Sequence, residues 1–289
     1  MLVYLILHYK NADVTEQCIQ SLLQLELTDA LIVVVDNGSG NGSYELLNNL
    51  YHNNDRIHLI KNNENLGYAA GNNIGFRYAK DVLGAGWIVL LNNDVTIEQK
   101  DFQKVLQAEY ERNHFYIAGP DIVTPEGGSQ NPFRMTCPDK KEIYKKLTHD
   151  YVVLALMKIG LQQKLKKMFH YDGSIFQHNE QETIDDFKGV LHGSCIIFSP
   201  DYIRKFNGLY GETFLYCEEE ILCYILQQLN DSYSYIQSLH VTHRHSVTMK
   251  REIEDKDRRK MREISYRIAS YRKFLRITNV RDDIGKYLK

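Results

Sequence analysis

Two hydrophobic rhythms alternate along the first hundred residues. Leu2 to Leu7 is a short, unbroken apolar run, the pattern of a strand covered on both faces. Beyond it Val14, Cys18, Ile19, Leu22 and Leu23 recur at helical spacing, and Asp13 three residues ahead of Glu16 makes a capping-box arrangement that predicts the helix start. A second apolar run, Leu31 to Val35, stops at Asp36-Asn37-Gly38-Ser39. A helix around Tyr44 to Tyr51, a strand at Ile57 to Ile60, a helix around Ala69 to Ala79 and a fourth strand from Trp87 to Leu91 follow. Strands that alternate with helices imply right-handed crossovers and a mostly parallel, Rossmann-like sheet. Residues 1–100 therefore read as the nucleotide-binding half of an α/β domain.

The second half is patterned more sparsely. Val190 to Phe198 predicts a strand interrupted by Gly193, either a bulge or a place where the backbone meets a ligand closely. Glu218-Glu219-Glu220 stand at the predicted start of a helix, where the helix dipole stabilises carboxylates. In His240-Val241-Thr242-His243-Arg244-His245, alternation puts His243 and His245 on one side of a strand. Between Lys140 and Met168, the apolar run Val152 to Met157 neighbours Lys158, Lys164, Lys166 and Lys167. That segment reads as a packed helix with a basic face or as an amphipathic helix on an anionic membrane. From Arg258 onward, Met261, Ile264, Ile268, Tyr271 and Leu275 form a helical stripe, with Arg259, Arg262, Arg267, Lys273 and Arg276 on the other faces. Docking on the domain is the primary expectation, with a homodimer seam or peripheral membrane contact as alternatives. The resulting division is 1–250 for the main domain, with 101–250 as its acceptor or catalytic half, and 251–289 for a basic helical extension.

Composition narrows the function. The chain has 289 residues, enough for one large domain, and its 43% hydrophobic and 25% charged residues are those of a soluble globular protein. Lys and Arg total 35 against 37 Asp and Glu, so no overall field draws it to nucleic acid. Twenty tyrosines suit surfaces that contact sugars or bases, and equally a tyrosine-rich core. Five cysteines (Cys18, Cys137, Cys195, Cys217, Cys223) without a Cys-x-x-Cys pair argue against a disulfide framework or structural zinc, and for a reducing cytosol. The apolar amino terminus meets His8 and Lys10 too soon for a signal peptide, and no run approaches a membrane span. The expected location is cytoplasmic, with the inner face of the plasma membrane as the site of any peripheral contact.

Candidate chemistry lies at the strand ends. Asp36 and Asp94, the latter closing Leu90-Leu91-Asn92-Asn93-Asp94, both follow parallel strands and share one carboxyl edge, where open α/β sheets bind ligands. Each acid can also serve simply as a turn residue. Between them Gly67, Gly71 and Gly75 fall four apart, for close helix packing or for an anion at a helix start. His8-Tyr9-Lys10-Asn11 after the first strand lacks the Gly-x-Gly-x-x-Gly order, which disfavours a nicotinamide dehydrogenase.

Asp36-Asn37-Gly38-Ser39, Asn65-Leu66-Gly67 with Gly71-Asn72-Asn73, and Leu91-Asn92-Asn93-Asp94 occur in an order and spacing that resembles the family 2 glycosyltransferases, particularly their rhamnosyltransferase-like bacterial branch. The resemblance runs from the first strand to about His245. It implies a GT-A fold, a dTDP- or UDP-linked sugar donor, Mg²⁺ or Mn²⁺ bound with that donor, inversion at the anomeric carbon, and a glycan or lipid-linked acceptor in surface polysaccharide synthesis. It assigns the metal to Asp94 and His243 and the general base to Glu219, with Glu218 as rival. It places His8, Tyr9, Asn11, Asp36, Asn65, Gly67, Asn72, Asn92, Asn93 and Gly193 about the donor, and brings Arg244 or His245 near phosphate.

Two departures stand out. Asn92 and Asn93 replace earlier acids, so a site with one carboxylate should hold a divalent cation mainly in company with the diphosphate. Glu219 stands where the family's base is an aspartate, and its longer side chain must fold back to keep the same reach. A sugar nucleotidyltransferase and a catalytically inactive sugar-nucleotide-binding module are the competing readings. Sugar identity and acceptor choice, the latter in the weakly patterned region 125–188, are left open.

Overall fold

The computed structural model describes residues 1–25, 29–161, 182–244, 256–280 and 282–289. Its first four strands follow the apolar runs: β1 (Leu2–His8), β2 (Ala30–Asp36), β3 (Ile57–Lys61) and β4 (Trp87–Asn92). Helices α1 (Ala12–Leu23), α2 (Ser43–Tyr51) and α3 (Tyr68–Arg77) join them. All four strands are parallel, in the order β3-β2-β1-β4. Side-chain alternation covers both faces: Val3, Leu5, Val33 and Val35 enter one apolar cluster, while Leu2, Tyr4, Ile6, Ile32 and Val34 enter the other. The chain passes from β1 outward to β3 and returns beyond β1 to β4. The carboxyl ends of β1 and β4 therefore flank the topological switch point, where such sheets bind ligands.

The start of α1 differs from expectation. Asn11, not Asp13, is the N-cap, accepting a hydrogen bond from the Val14 amide at 3.5 Å. The reason is local: β1 runs on through His8 and Lys10 takes a left-handed conformation (φ 63°), so the helix begins at Ala12 and leaves Asp13 in its first turn.

The second half adds β5 (Val95–Thr96), α4 (Phe102–Arg112), β6 (Ile117–Val123), α5 (Lys140–Lys158), β7 (Cys195–Phe198), α6 (Pro200–Lys205), α7 (Glu218–Leu229), β8 (Tyr233–His243) and α8 (Lys256–Ile277). The complete sheet runs β3-β2-β1-β4-β7-β6-β8-β5. In this half the sheet becomes mixed: β7 is antiparallel to β4 and β6, and β5 to β8, while β6 and β8 are parallel. The predicted strand from Val190 shortens to Cys195–Phe198, with Val190 making an isolated bridge to Arg134. Ser194 O still takes the Asn92 amide, while the Gly193 carbonyl turns away to accept the Tyr68 hydroxyl.

The stripe on α8 buries Ile264, Ile268, Tyr271 and Leu275 together with Phe274, and α8 packs along α5. Arg267 fixes that contact through Asp150, its Nε and Nη2 donating at 2.8 and 3.0 Å. The apolar run in α5 is unevenly used, Met157 being buried and Val152 exposed. Lys164, Lys166, Lys167, Met168 and His245 lie outside the described residues. Among the described residues no helix is long and apolar enough to cross a membrane.

Candidate active site

The crevice begins at His8, which is fully buried. Its Nδ1 lies 2.7 Å from Thr15 Oγ1 and its Nε2 2.8 Å from Ser43 Oγ, so one imidazole braces the starts of α1 and α2. Burial pushes it down to about 4, although Asp36 Oδ1 stands 3.8 Å away and favours the charged form. Tyr9 and Asn11 follow, half-buried, at the crevice edge. Asp36 is buried, and its carboxylate accepts hydrogen bonds from the Ser39 hydroxyl and, at 3.3 Å, the Ser39 amide. It holds the turn after β2.

Asn37 escaped the sequence assignment. Its amide donates to Asn65 Oδ1 and to Gly67 O, both at 3.0 Å, and its oxygen accepts from the Leu66 amide at 3.1 Å. It thereby binds the loop after β2 to the loop before α3. The available signal was a carboxamide inside a Gly-Ser turn, a group able to donate and accept at once.

The three glycines divide their uses. A Cβ on Gly71 would meet Leu7 Cδ1 at 2.9 Å and one on Gly75 would meet Leu5 Cδ1 at 2.2 Å, so both serve helix-on-sheet packing. Gly67 (φ 85°) faces the backbone of Phe214, whose carbonyl takes the Tyr68 amide at 2.8 Å. That amide is thus committed to protein. Asn72, 1% exposed, donates to Tyr68 O at 3.0 Å while its Oδ1 is buried without a hydrogen-bond partner.

On the other side of the switch point, the chain turns from β4 into β5. The Asn92 amide donates to Ser194 O at 2.9 Å, and Asn93 reaches Thr15 Oγ1 at 3.0 Å. Register then sets the pair that matters: Val95 lies opposite His243, which brings Asp94 Oδ1 to 3.2 Å from His243 Nε2. Gln130 Oε1 is 2.7 Å from His243 Nδ1. An amide oxygen only accepts, so Nδ1 is the nitrogen that donates to Gln130, and Nε2 is the one that faces Asp94. Two ligands at right angles on one cation, with bonds of about 2.1 Å, stand roughly 3 Å apart. Asp94 and His243 have that spacing. Among the described residues no group of three or more His, Cys, Asp or Glu side chains is placed to hold a metal ion.

The third part is the start of α7. Tyr216 (φ 74°) and Cys217 (φ 70°) are both left-handed, a conformation costing a side chain on the order of 1 kcal/mol each, and this kink sets where the following acids fall. They fall in three places. Glu220 pairs with Arg134 Nη1 at 3.2 Å and Lys146 Nζ at 3.1 Å, joining α7 to α5. Glu218 is buried, with Oε1 lacking a hydrogen-bond partner. Glu219 folds against Gly193, whose backbone N–H favours its ionised form. Desolvation raises both Glu218 and Glu219 above the ordinary carboxylate range, and Glu219 adds repulsion at Glu218.

These parts meet at the turn His192-Gly193-Ser194. The His192 ring lies 5.8 Å from that of His243, Gly193 touches Glu219, and Ser194 receives the amide of Asn92. The structure thus gathers Asp94, His243, Glu219, Asn92 and Gly193 at one edge, while His8, Asp36 and Asn72 sit beneath it as buried supports.

A sheet of this order with its acids at the carboxyl edge defines the GT-A glycosyltransferase fold. The chain belongs to glycosyl transferase family 2, whose model matches residues 4–176. It is a glycosyltransferase. It is 27% identical over 247 residues to the low-salt glycan biosynthesis hexosyltransferase Agl10 of Haloferax volcanii, an alignment spanning 86% of this chain and 68% of that one. Two solved structures share the fold: TarS of S. aureus in complex with UDP (TM-score 0.54, 13% identity, 99% of this chain and 68% of that chain), and the mannosyltransferase PcManGT of Pyrobaculum calidifontis with GDP-Man and Mn²⁺ (TM-score 0.54, 10% identity, 96% and 72%).

Proposed function

We propose that the enzyme moves a hexosyl or rhamnosyl unit from a dTDP- or UDP-linked donor, with inversion, to a hydroxyl of a glycan or lipid-linked acceptor in the synthesis of a surface polysaccharide. The observation that carries this reading is the convergence of two chemistries on one turn: a desolvated carboxylate against Gly193 and an acid–imidazole pair beside His192. Family membership and the name of the Haloferax relative, a hexosyltransferase of glycan biosynthesis, point the same way. Together they favour sugar transfer over nucleotidyl transfer.

Inversion by direct displacement needs a base at the acceptor hydroxyl and a neutralised leaving group on the opposite side. Glu219 supplies the base. Desolvation raises its proton affinity, which suits a carboxylate that must take a proton as the glycosidic bond forms. Asp94 and His243 would hold Mg²⁺ or Mn²⁺ together with the donor diphosphate, and such a cation offsets the charge that develops on the departing nucleotide. The turn after β2 and the loop before α3, stapled by Asn37, border the crevice that takes the nucleoside. His8 and Asp36 shape that crevice from below, Tyr9, Asn11, Asn65 and Gly67 at its edge.

Glu219→Gln should abolish transfer and leave nucleotide affinity within about twofold, since it removes the proton acceptor and keeps the shape. The test is a donor screen with Mn²⁺ and an acceptor, with products resolved by chromatography and UDP binding measured by calorimetry. Near-normal turnover in the variant rejects the assignment of the base. Formation of a nucleotide sugar and pyrophosphate from a nucleoside triphosphate and a sugar 1-phosphate, with no nucleoside diphosphate released from the nucleotide-sugar donors, rejects sugar transfer, and a wild-type protein that binds nucleotide and turns nothing over marks an inactive module.

A further inference from the structure

We infer that the Gly193 peptide, tethered by the Tyr68 hydroxyl, is the seat that positions the Glu219 carboxylate, and that the absent side chain at 193 is what admits a glutamate there. The inference rests on Glu219 being the base. Its geometry is specific. A Cβ built on Gly193 falls 2.1 Å from Glu219 Oε1, 2.7 Å from its Cδ and 2.9 Å from its Cγ, so three atoms of the glutamate occupy the space a side chain at 193 would take. The Gly193 N–H favours the ionised form of that carboxylate, and the Gly193 carbonyl accepts the Tyr68 hydroxyl at 2.6 Å. One peptide therefore has the glutamate packed against it and the Tyr68 hydroxyl holding its carbonyl.

Tyr68 is well placed to hold it. As the first residue of α3 it donates its amide to Phe214 O at 2.8 Å, in the segment that leads into α7. Through its backbone it fixes the approach to Glu219, and through its ring it fixes the peptide beneath Glu219. Burial and the nearby carboxylates raise the phenol well above its usual range, so its proton stays on the hydroxyl and Tyr68 acts by position, not by proton transfer. The grip matters because a glutamate has one more rotatable bond than an aspartate, and a displacement of about 1 Å at a reacting group costs on the order of 10²-fold in rate. Arg134 and Lys146, which would otherwise be available as cationic anchors nearby, are committed to Glu220.

The experiment compares Gly193→Ala, Glu219→Asp, the double variant and Tyr68→Phe for kcat, KM and the pH dependence of kcat, with UDP binding by calorimetry to establish that each protein is folded. Alanine at 193 should push Glu219 out and lower kcat by at least about tenfold, with the donor KM within about threefold. Shortening the acid in the same protein should restore rate, making the double variant several times faster than Gly193→Ala alone. Tyr68→Phe loosens the peptide and weakens the influence of its N–H, which favours the ionised carboxylate, so the acidic limb should move to higher pH as kcat falls several-fold. A double variant no faster than Gly193→Ala, or a Tyr68→Phe protein with unchanged kcat and limb, overturns the seat. Because the Glu219→Gln result is read independently, failure of the seat with an inactive Gln variant leaves the base in place, whereas an active Gln variant removes both.

Discussion

At the end of β1 a buried imidazole sits between two hydroxyls, and its consequence is a pH dependence of stability. His8 is held near 4, against an unfolded value near 6.5. Between those values the unfolded chain binds a proton that the native protein refuses, so the stability tied to this residue is complete above about pH 6.5 and drains away as pH falls toward 4. The limit is roughly 3 kcal/mol. Urea unfolding at pH 7.5, 6.0 and 5.0 should show a steeper loss for the wild type than for His8→Asn, which keeps polar atoms for Thr15 and Ser43 but does not titrate. Parallel curves would sink the assignment. The residue also shows what a sequence conceals. Leu2, Tyr4 and Ile6 face the cluster under α1 and α2, and strand parity carries His8 to the same side. That parity was legible; that Thr15 and Ser43 would meet the ring there was not, because both arrive on helices whose placement is a tertiary fact.

Among the elements, α3 is where glycine spacing spoke most clearly and most ambiguously. A missing side chain says that something is close without saying what. Gly75 turned out to face Leu5 and Val35, Gly67 the Phe214 backbone, and Gly193, in the turn before β7, a carboxylate. Gly75→Ala should therefore destabilise the protein by up to about 2 kcal/mol, the overpacking cost of about 1–3 kcal/mol being offset in part by the roughly 1 kcal/mol that alanine gains in a helix. Gly71→Ala, with contacts near 2.9–3.0 Å, should cost less. Denaturant midpoints for the two variants decide it, and a Gly75→Ala protein more stable than the wild type would contradict the packing account. Strands β1, β2 and β4 were readable because continuous apolar runs of that length have few alternatives. The two-residue β5 carries no such signal, and Val190 to Leu191 is as apolar as a strand while the Val190 backbone pairs with Arg134 in an isolated bridge outside the ladder.

At the scale of the molecule, the candidate metal ligands lie in opposite halves of the chain and meet only because β5 pairs with β8. The motif at Asp94 was legible, and the resemblance supplied His243, but the register that brings them to 3.2 Å belongs to the assembled sheet. That arrangement gives a quantitative expectation. A hard divalent cation takes six or more oxygen or nitrogen ligands, and one carboxylate with one imidazole leaves most positions to water or to a diphosphate. Metal and nucleotide should then each raise the affinity for the other by the same factor, within the range of about 5–150-fold usual for coupled ligands. Titrations of Mn²⁺ alone, UDP alone and UDP with Mn²⁺ present should show negligible metal binding by the free protein and a UDP affinity that rises at least about tenfold with metal. In Asp94→Asn the metal-free affinity for UDP should persist while the metal effect collapses toward unity, since the amide keeps the size of the side chain but not its charge. Tight Mn²⁺ binding without nucleotide, or an undiminished metal effect in the variant, would show that the cation is held by other groups.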